Sequence, residues 1–112
     1  MKPTLPDGLP EKVLECIQLY TTPEVRALKK NIASYCGLKY NSNTDRQIRD
    51  AVSELRKQGH PICSDSGKAG YYFSRHAVNQ TIAELTARGT DLLETARALE
   101  RGREVGQMEL AL

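Results

Sequence analysis

No stretch of this chain approaches the roughly 18 consecutive apolar residues of a membrane span. Its first residues, Met1-Lys2-Pro3-Thr4-Leu5-Pro6, lack the apolar stretch of a secretion signal. A cytoplasmic, nucleoid-associated protein with no membrane partner is the expectation. Cysteine is scarce: Cys16, Cys36 and Cys63 are odd in number and show no Cys-x-x-Cys spacing. Neither a disulfide framework nor a zinc ribbon is indicated, and Cys16 and Cys36 read as small core residues on or beside apolar helix stripes. The two histidines, His60 and His76, do not sit beside an acid and a nucleophile in a triad-like arrangement. His60-x-x-Cys63 with His76 reads as a buried strand cysteine and two surface imidazoles rather than a metal site. Ser66-Gly67-Lys68 falls in a hairpin, so no glycine-rich loop follows a strand to cradle phosphate. No enzyme, metal or cofactor is expected.

What remains is 112 residues, room for one compact domain and an appendage. Apolar residues at 39% and charged residues at 27% suit a soluble, mostly helical chain better than a disordered one. The net charge of +2 is unevenly divided. Residues 1–22 hold two basic and three acidic side chains, residues 23–75 ten and five, and residues 76–112 four and six, giving −1, +5 and −2. The middle is the part suited to a polyanion.

Three prolines and a glycine in the first ten residues predict an extended arm over 1–9. Pro10 suits a first helical position, and Val13, Leu14, Ile17 and Tyr20 predict a helix over about 10–20. Thr21-Thr22-Pro23-Glu24 is a second start signal, with Val25, Leu28, Ile32, Ala33 and Cys36 as its stripe and Gly37 as its stop. Alternatively, that helix begins near Arg26 and Thr21–Val25 is a connector. After a polar turn, Thr44-Asp45-Arg46-Gln47 fits a capping box, and Ile48, Val52 and Leu55 stripe a helix that Gly59 ends. His60–Ser64 and Tyr71–Ser74 predict the strands of a β-hairpin around a flexible tip, Asp65–Gly70. From 76 to 101 a long helix carries Val78, Ile82, Leu85, Gly89, Leu92, Ala96 and Leu99 at alternating spacings of four and three, a heptad seam. Residues 102–112 read as a flexible tail. The fold class is mainly α with a small β-hairpin.

Helix, helix, polar turn, helix and hairpin is the layout of a winged helix-turn-helix domain. Ala33-x-x-x-Gly37-Leu38 provides a small residue at a helix crossing, a turn glycine and an apolar plug. The run Asn43-Thr44-Asp45-Arg46-Gln47-Ile48-Arg49-Asp50-Ala51-Val52-Ser53-Glu54-Leu55-Arg56-Lys57-Gln58-Gly59-His60-Pro61-Ile62 resembles that family's recognition helix and following strand. Gly70-Tyr71-Tyr72-Phe73 is similar to the returning wing strand. The resemblance covers residues 10–75 and is nearest to the N-terminal domains of biotin repressors and to phage-encoded regulators and replication proteins. Leu38–Asn43 is a longer turn than in the tightest members.

The resemblance implies a double-stranded DNA partner. Arg46 and Arg49 suit bidentate contact with guanine, and Asn43 and Gln47 contact with adenine. Thr44 suits a phosphate at the helix start, Ser53 and Lys57 lie on the same outer face, and Lys39, Lys68 and Arg75 suit backbone phosphates. The alternative is that these are solvated charges on a protein-interaction adaptor of the same fold. The seam residues either fold back on the domain or pair in a homodimer that would double the DNA footprint. At the end of the chain, Gln107-Met108-Glu109-Leu110-Ala111-Leu112 resembles the hexapeptide that docks bacterial replication and repair proteins on the DNA-polymerase sliding clamp. Gln107 would fill a polar notch there, and Met108, Leu110 and Leu112 an apolar groove. The other reading is leucines packed on the neighbouring helix. Regulation of transcription or control of replication, in a bacterium or phage, is the functional expectation.

Overall fold

A computed structural model describes residues 7–111, with side chains to residue 103. Four helices and one hairpin run in the order α1 (Leu9–Gln18), α2 (Lys29–Tyr35), α3 (Ser42–Lys57), β1 (Ile62–Asp65), β2 (Lys68–Phe73) and α4 (Val78–Ala111). The chain is mainly helical with a small antiparallel hairpin and a long C-terminal helix. It divides into two units, residues 1–81 and 82–112, so the division falls inside α4 rather than before it.

The core of the first unit forms where the apolar stripes of its three short helices meet. Val13 and Ile17 of α1, Ile32 and Ala33 of α2, Ile48, Val52 and Leu55 of α3, and Ile62 of β1 are all buried in one cluster. Pro10 lies in the first turn of α1, as its missing N–H favours. Gly37 closes α2 in the left-handed region at φ 72°, and the Leu38 N–H donates to the Ala33 carbonyl, 2.8 Å.

The start of α2 differs from the first of the two sequence readings. Thr21–Glu24 does not open the helix, and Val25, placed on its stripe, is 63% exposed. The backbone of residues 22–27 is committed elsewhere. The Ala27 N–H donates to the Tyr71 carbonyl (2.8 Å), and the Tyr71 N–H donates back (2.9 Å). The Pro23 carbonyl accepts from Arg26 Nε (2.8 Å), and the Glu24 carbonyl from Lys68 Nζ (2.9 Å). Peptide groups bonded in this way cannot enter an α-helical ladder, so the helix waits until Lys29.

The hairpin is tighter than its sequence suggests. Only Ser66 and Gly67 form the turn; Lys68, Ala69 and Gly70, expected in a flexible tip, belong to β2. Cys63 pairs with Tyr72 and Asp65 with Lys68, so two steps along β1 match four along β2. The extra length is a bulge. Gly70 sits in it at φ 102°, where a Cβ would stand 2.8 Å from the Arg26 Cβ and 3.2 Å from the Ala27 carbonyl oxygen. Only glycine allows β2 so close to the connector.

Arg26 joins the two pieces. Its guanidinium donates to Asp65 Oδ2 (2.7 Å) and to the Lys68 carbonyl (3.2 Å), and it stacks 5.0 Å from the Tyr72 ring centroid. This clamp holds the hairpin against the segment that precedes α2. On β1, Ser64 has no β2 partner opposite it; its N–H donates to Thr81 Oγ1 (3.1 Å), and that buried hydroxyl donates back to the Ser64 carbonyl (2.9 Å). Arg56 Nε donates to the Ile62 carbonyl (3.0 Å), tying the end of α3 to the same strand.

The helix α4 has 34 residues, a length of about 51 Å. It continues through Gly102 and Gly106 to Ala111, where the sequence reading ended it near residue 101 in a flexible tail. Two glycines without a following proline weaken a helix but do not stop one. Along the seam Ile82, Leu85, Leu92 and Leu99 are exposed.

Candidate nucleic-acid interface

The helix α3 carries most of the residues expected to meet DNA, and its own periodicity sorts them. With Ile48, Ala51, Val52 and Leu55 buried, Arg46, Arg49, Ser53 and Lys57 are left exposed on the opposite side. Arg46, Ser53 and Lys57 recur at helical spacing, so they form one solvent-facing stripe, with the half-buried Asp50 between them. Arg46 and Lys57 enter no ion pair among the described residues. Asn43 is exposed in the first turn, and Gln47 is half-buried.

The capping of α3 corrects one assignment. Asn41, not Thr44, is the cap: its side-chain oxygen accepts from the Thr44 N–H at 2.9 Å. Thr44 lies in the first turn with 5% of its surface exposed, and its hydroxyl donates to the Lys39 carbonyl at 2.7 Å. Thr44 therefore shapes the turn from inside and presents no hydroxyl to a phosphate. The longer turn is closed by this buried hydrogen bond.

Asp45 organises the cations near the helix start. Its carboxylate accepts from Lys29 Nζ (2.8 Å), Tyr40 Oη (2.6 Å) and Arg49 Nε (3.0 Å). The hydrogen bond from Lys29, followed by that from Tyr40, pulls its carboxyl from the ordinary 3.8 to about 2. The same bond raises the Lys29 ammonium. Lys29 and Tyr40 were not among the sequence candidates; they reach the site from α2 and from the turn. A carboxyl lowered by folding stabilises the native state at pH values above its unfolded pKa, and that contribution is lost as the pH falls through its folded value. Acid titration by circular dichroism should therefore show stability falling between about pH 4 and pH 2. In Asp45→Asn this part of the decline should be absent.

The remaining basic candidates lie apart from the stripe. Lys39 is exposed in the turn before α3. Arg75 is exposed and borders a shallow depression with Gln58, Gly59, His60 and Pro61, beyond the other end of α3. Lys68 is exposed, but its ammonium is hydrogen-bonded to the connector carbonyls. Arg56 is engaged in structure: besides Ile62 it donates to Ser64 Oγ at 2.9 Å and lies over the Tyr71 ring.

Comparison with protein families, curated proteins and solved structures returns no match. Among the described residues there is no group of metal-ligating side chains and no helix long and apolar enough to cross a membrane. Burial raises the thiol of Cys16 to about 11, and raises those of Cys36 and Cys63 as well. The side chains of the clamp-docking candidates Gln107, Met108, Leu110 and Leu112 lie outside the described residues.

Proposed function

We propose that this chain is a sequence-specific double-stranded DNA-binding protein of the winged helix-turn-helix kind. It acts in transcriptional regulation or replication control and works as a dimer joined through α4. The observation that supports this reading is the division of α3 into a buried apolar side and an exposed side bearing Arg46, Arg49, Ser53 and Lys57. In this reading α3 enters the major groove. Arg46 addresses the guanine O6 and N7 edge, Asn43 and Gln47 serve adenine, and Lys57 meets backbone phosphate. The hairpin is the wing, held at a set angle by the Arg26–Asp65 clamp, with Lys39 and Arg75 as further phosphate contacts.

The test is fluorescence anisotropy with a random-sequence duplex at three salt concentrations, using the full chain. A protein that neutralises several phosphates loses affinity as a power of salt concentration, with a slope of about −0.9 per phosphate. A steep slope, followed by enrichment of one preferred site in selection, is the expected result. Absence of binding at low salt would overturn the DNA reading in favour of an adaptor that binds protein.

A further inference from the structure

The cations around the start of α3 are not equally free to meet a duplex. Arg46 is exposed and enters no ion pair among the described residues. Arg49 is bonded to Asp45 through Nε alone, at 3.0 Å, and its two terminal nitrogens make no hydrogen bond among the described residues. A phosphate can therefore share it. Lys29 differs. Its Nζ lies 2.8 Å from Asp45 Oδ1, and the Tyr40 hydroxyl donates to the same oxygen at 2.6 Å. Yet the Lys29 side chain is 34% exposed, so pairing rather than burial holds it back. Because Lys29 and Arg49 hold the two oxygens of one carboxylate, the ammonium stands beside the exposed side of α3 rather than away from it.

Packing gives little reason for the pair. Ile32, Ala33 and Ile48 already join α2 to α3 in the core, and an ion pair open to solvent adds little to such a contact. Against a polyanion it counts for more. Sequence-independent affinity for a duplex comes essentially from phosphates neutralised by Lys and Arg, with release of the counterions they replace. A lysine whose charge is cancelled inside the protein contributes nothing to that release. The Asp45 carboxyl, held at about 2 by its donors, keeps its negative charge at every pH at which such binding is measured.

We propose that Asp45 limits the sequence-independent part of DNA binding: it withholds Lys29 from the duplex and leaves Arg49 to be shared, so that firm binding needs the base contacts of α3. The proposal rests on the DNA reading of α3 and adds a residue that regulates it. Asp45 is a positioning residue, acting through Lys29.

The test uses full-length Asp45→Asn, titrated by anisotropy with random-sequence duplex over a series of salt concentrations. It should bind on the order of tenfold more tightly than the wild type at low salt, with a slope steeper by about 0.9, the share of one further phosphate. A merely structural role would leave the slope alone. Adding Lys29→Gln to Asp45→Asn should return affinity and slope to those of the wild type, because a neutral pair replaces a neutralised one. Thermal melting by circular dichroism accompanies each variant, and the double variant decides if Asp45→Asn alone does not fold. A folded Asp45→Asn with the wild-type slope would overturn the proposal and leave the DNA reading in place. So would a folded double variant whose slope is shallower than that of the wild type by about 0.9, since Lys29 would then meet phosphate despite Asp45. A wild type that binds no duplex at low salt would overturn both.

Discussion

Gly70→Val should destabilise the first unit severely. A branched side chain at φ 102° meets two separate penalties. The backbone conformation alone costs a non-glycine residue about 1–3 kcal/mol. The new Cβ would also overlap the Arg26 Cβ at 2.8 Å and press on the Ala27 carbonyl and Leu28 Cδ2 at 3.2 Å. The Ala27 carbonyl cannot move without disturbing the Ala27–Tyr71 pairing, so overpacking adds about 1–3 kcal/mol more. Together these come to about 2–6 kcal/mol, a large share of the roughly 5–15 kcal/mol that stabilises an ordinary domain. Gly37→Ala is the matched control: its φ of 72° carries the backbone penalty, but nothing lies within 4 Å of the added atom. In denaturant titrations Gly37→Ala should lose about 1 kcal/mol and Gly70→Val several times that. Equal losses would show that the close approach of β2 to the connector is not a stabilising constraint.

In duplex binding, Arg46→Ala should be the most damaging substitution on the outer side of α3. Among the described residues its guanidinium has no partner to leave before it reaches a base edge, whereas Arg49 must give up or share Asp45 at 3.0 Å. Loss of one bidentate guanine contact costs about 1–3 kcal/mol, or about 5-fold to 150-fold in affinity, and relaxes selectivity at a single base pair. Arg49→Ala should cost less. If its role is a phosphate contact, it should lower the salt slope by about one and weaken all sequences alike. Selection on the two variants separates these outcomes, and unchanged binding in both would remove α3 as the reading element.

The helices were legible where burial alone decides them. Val13 and Ile17, and Ile48, Val52 and Leu55, recur at helical spacing and are all buried. The outer residues of α3 followed as the complement of that stripe. What escaped was set by partners distant in sequence. Thr22-Pro23-Glu24 has good local chemistry for a helix start, but Lys68 claims the Pro23 and Glu24 carbonyls and Tyr71 pairs with Ala27 just beyond them. Gly70 looked like part of a loose tip because the Arg26 and Ala27 atoms that crowd it are more than forty positions away. At α3, Asn41 and Thr44 both suit a cap, and the buried bond from Thr44 to Lys39 decides between them. Lys29 and Tyr40 were invisible as site residues because only tertiary packing brings them to Asp45.

The side-chain contacts on β1 also bear on how the chain behaves in concentrated solution. A two-stranded hairpin ordinarily presents unpaired N–H and C=O groups along its outer strands, a template on which another chain can add and aggregation can begin. Here β2 is flanked by β1 on one side and by the connector at Ala27 on the other. Along the outer side of β1, the Ile62 carbonyl is taken by Arg56 and both polar groups of Ser64 by Thr81. The strand is thus closed by two side chains from helices, without a third strand. Removing the Thr81 hydroxyl would reopen that edge, turning a small loss of stability into a disproportionate loss of solubility.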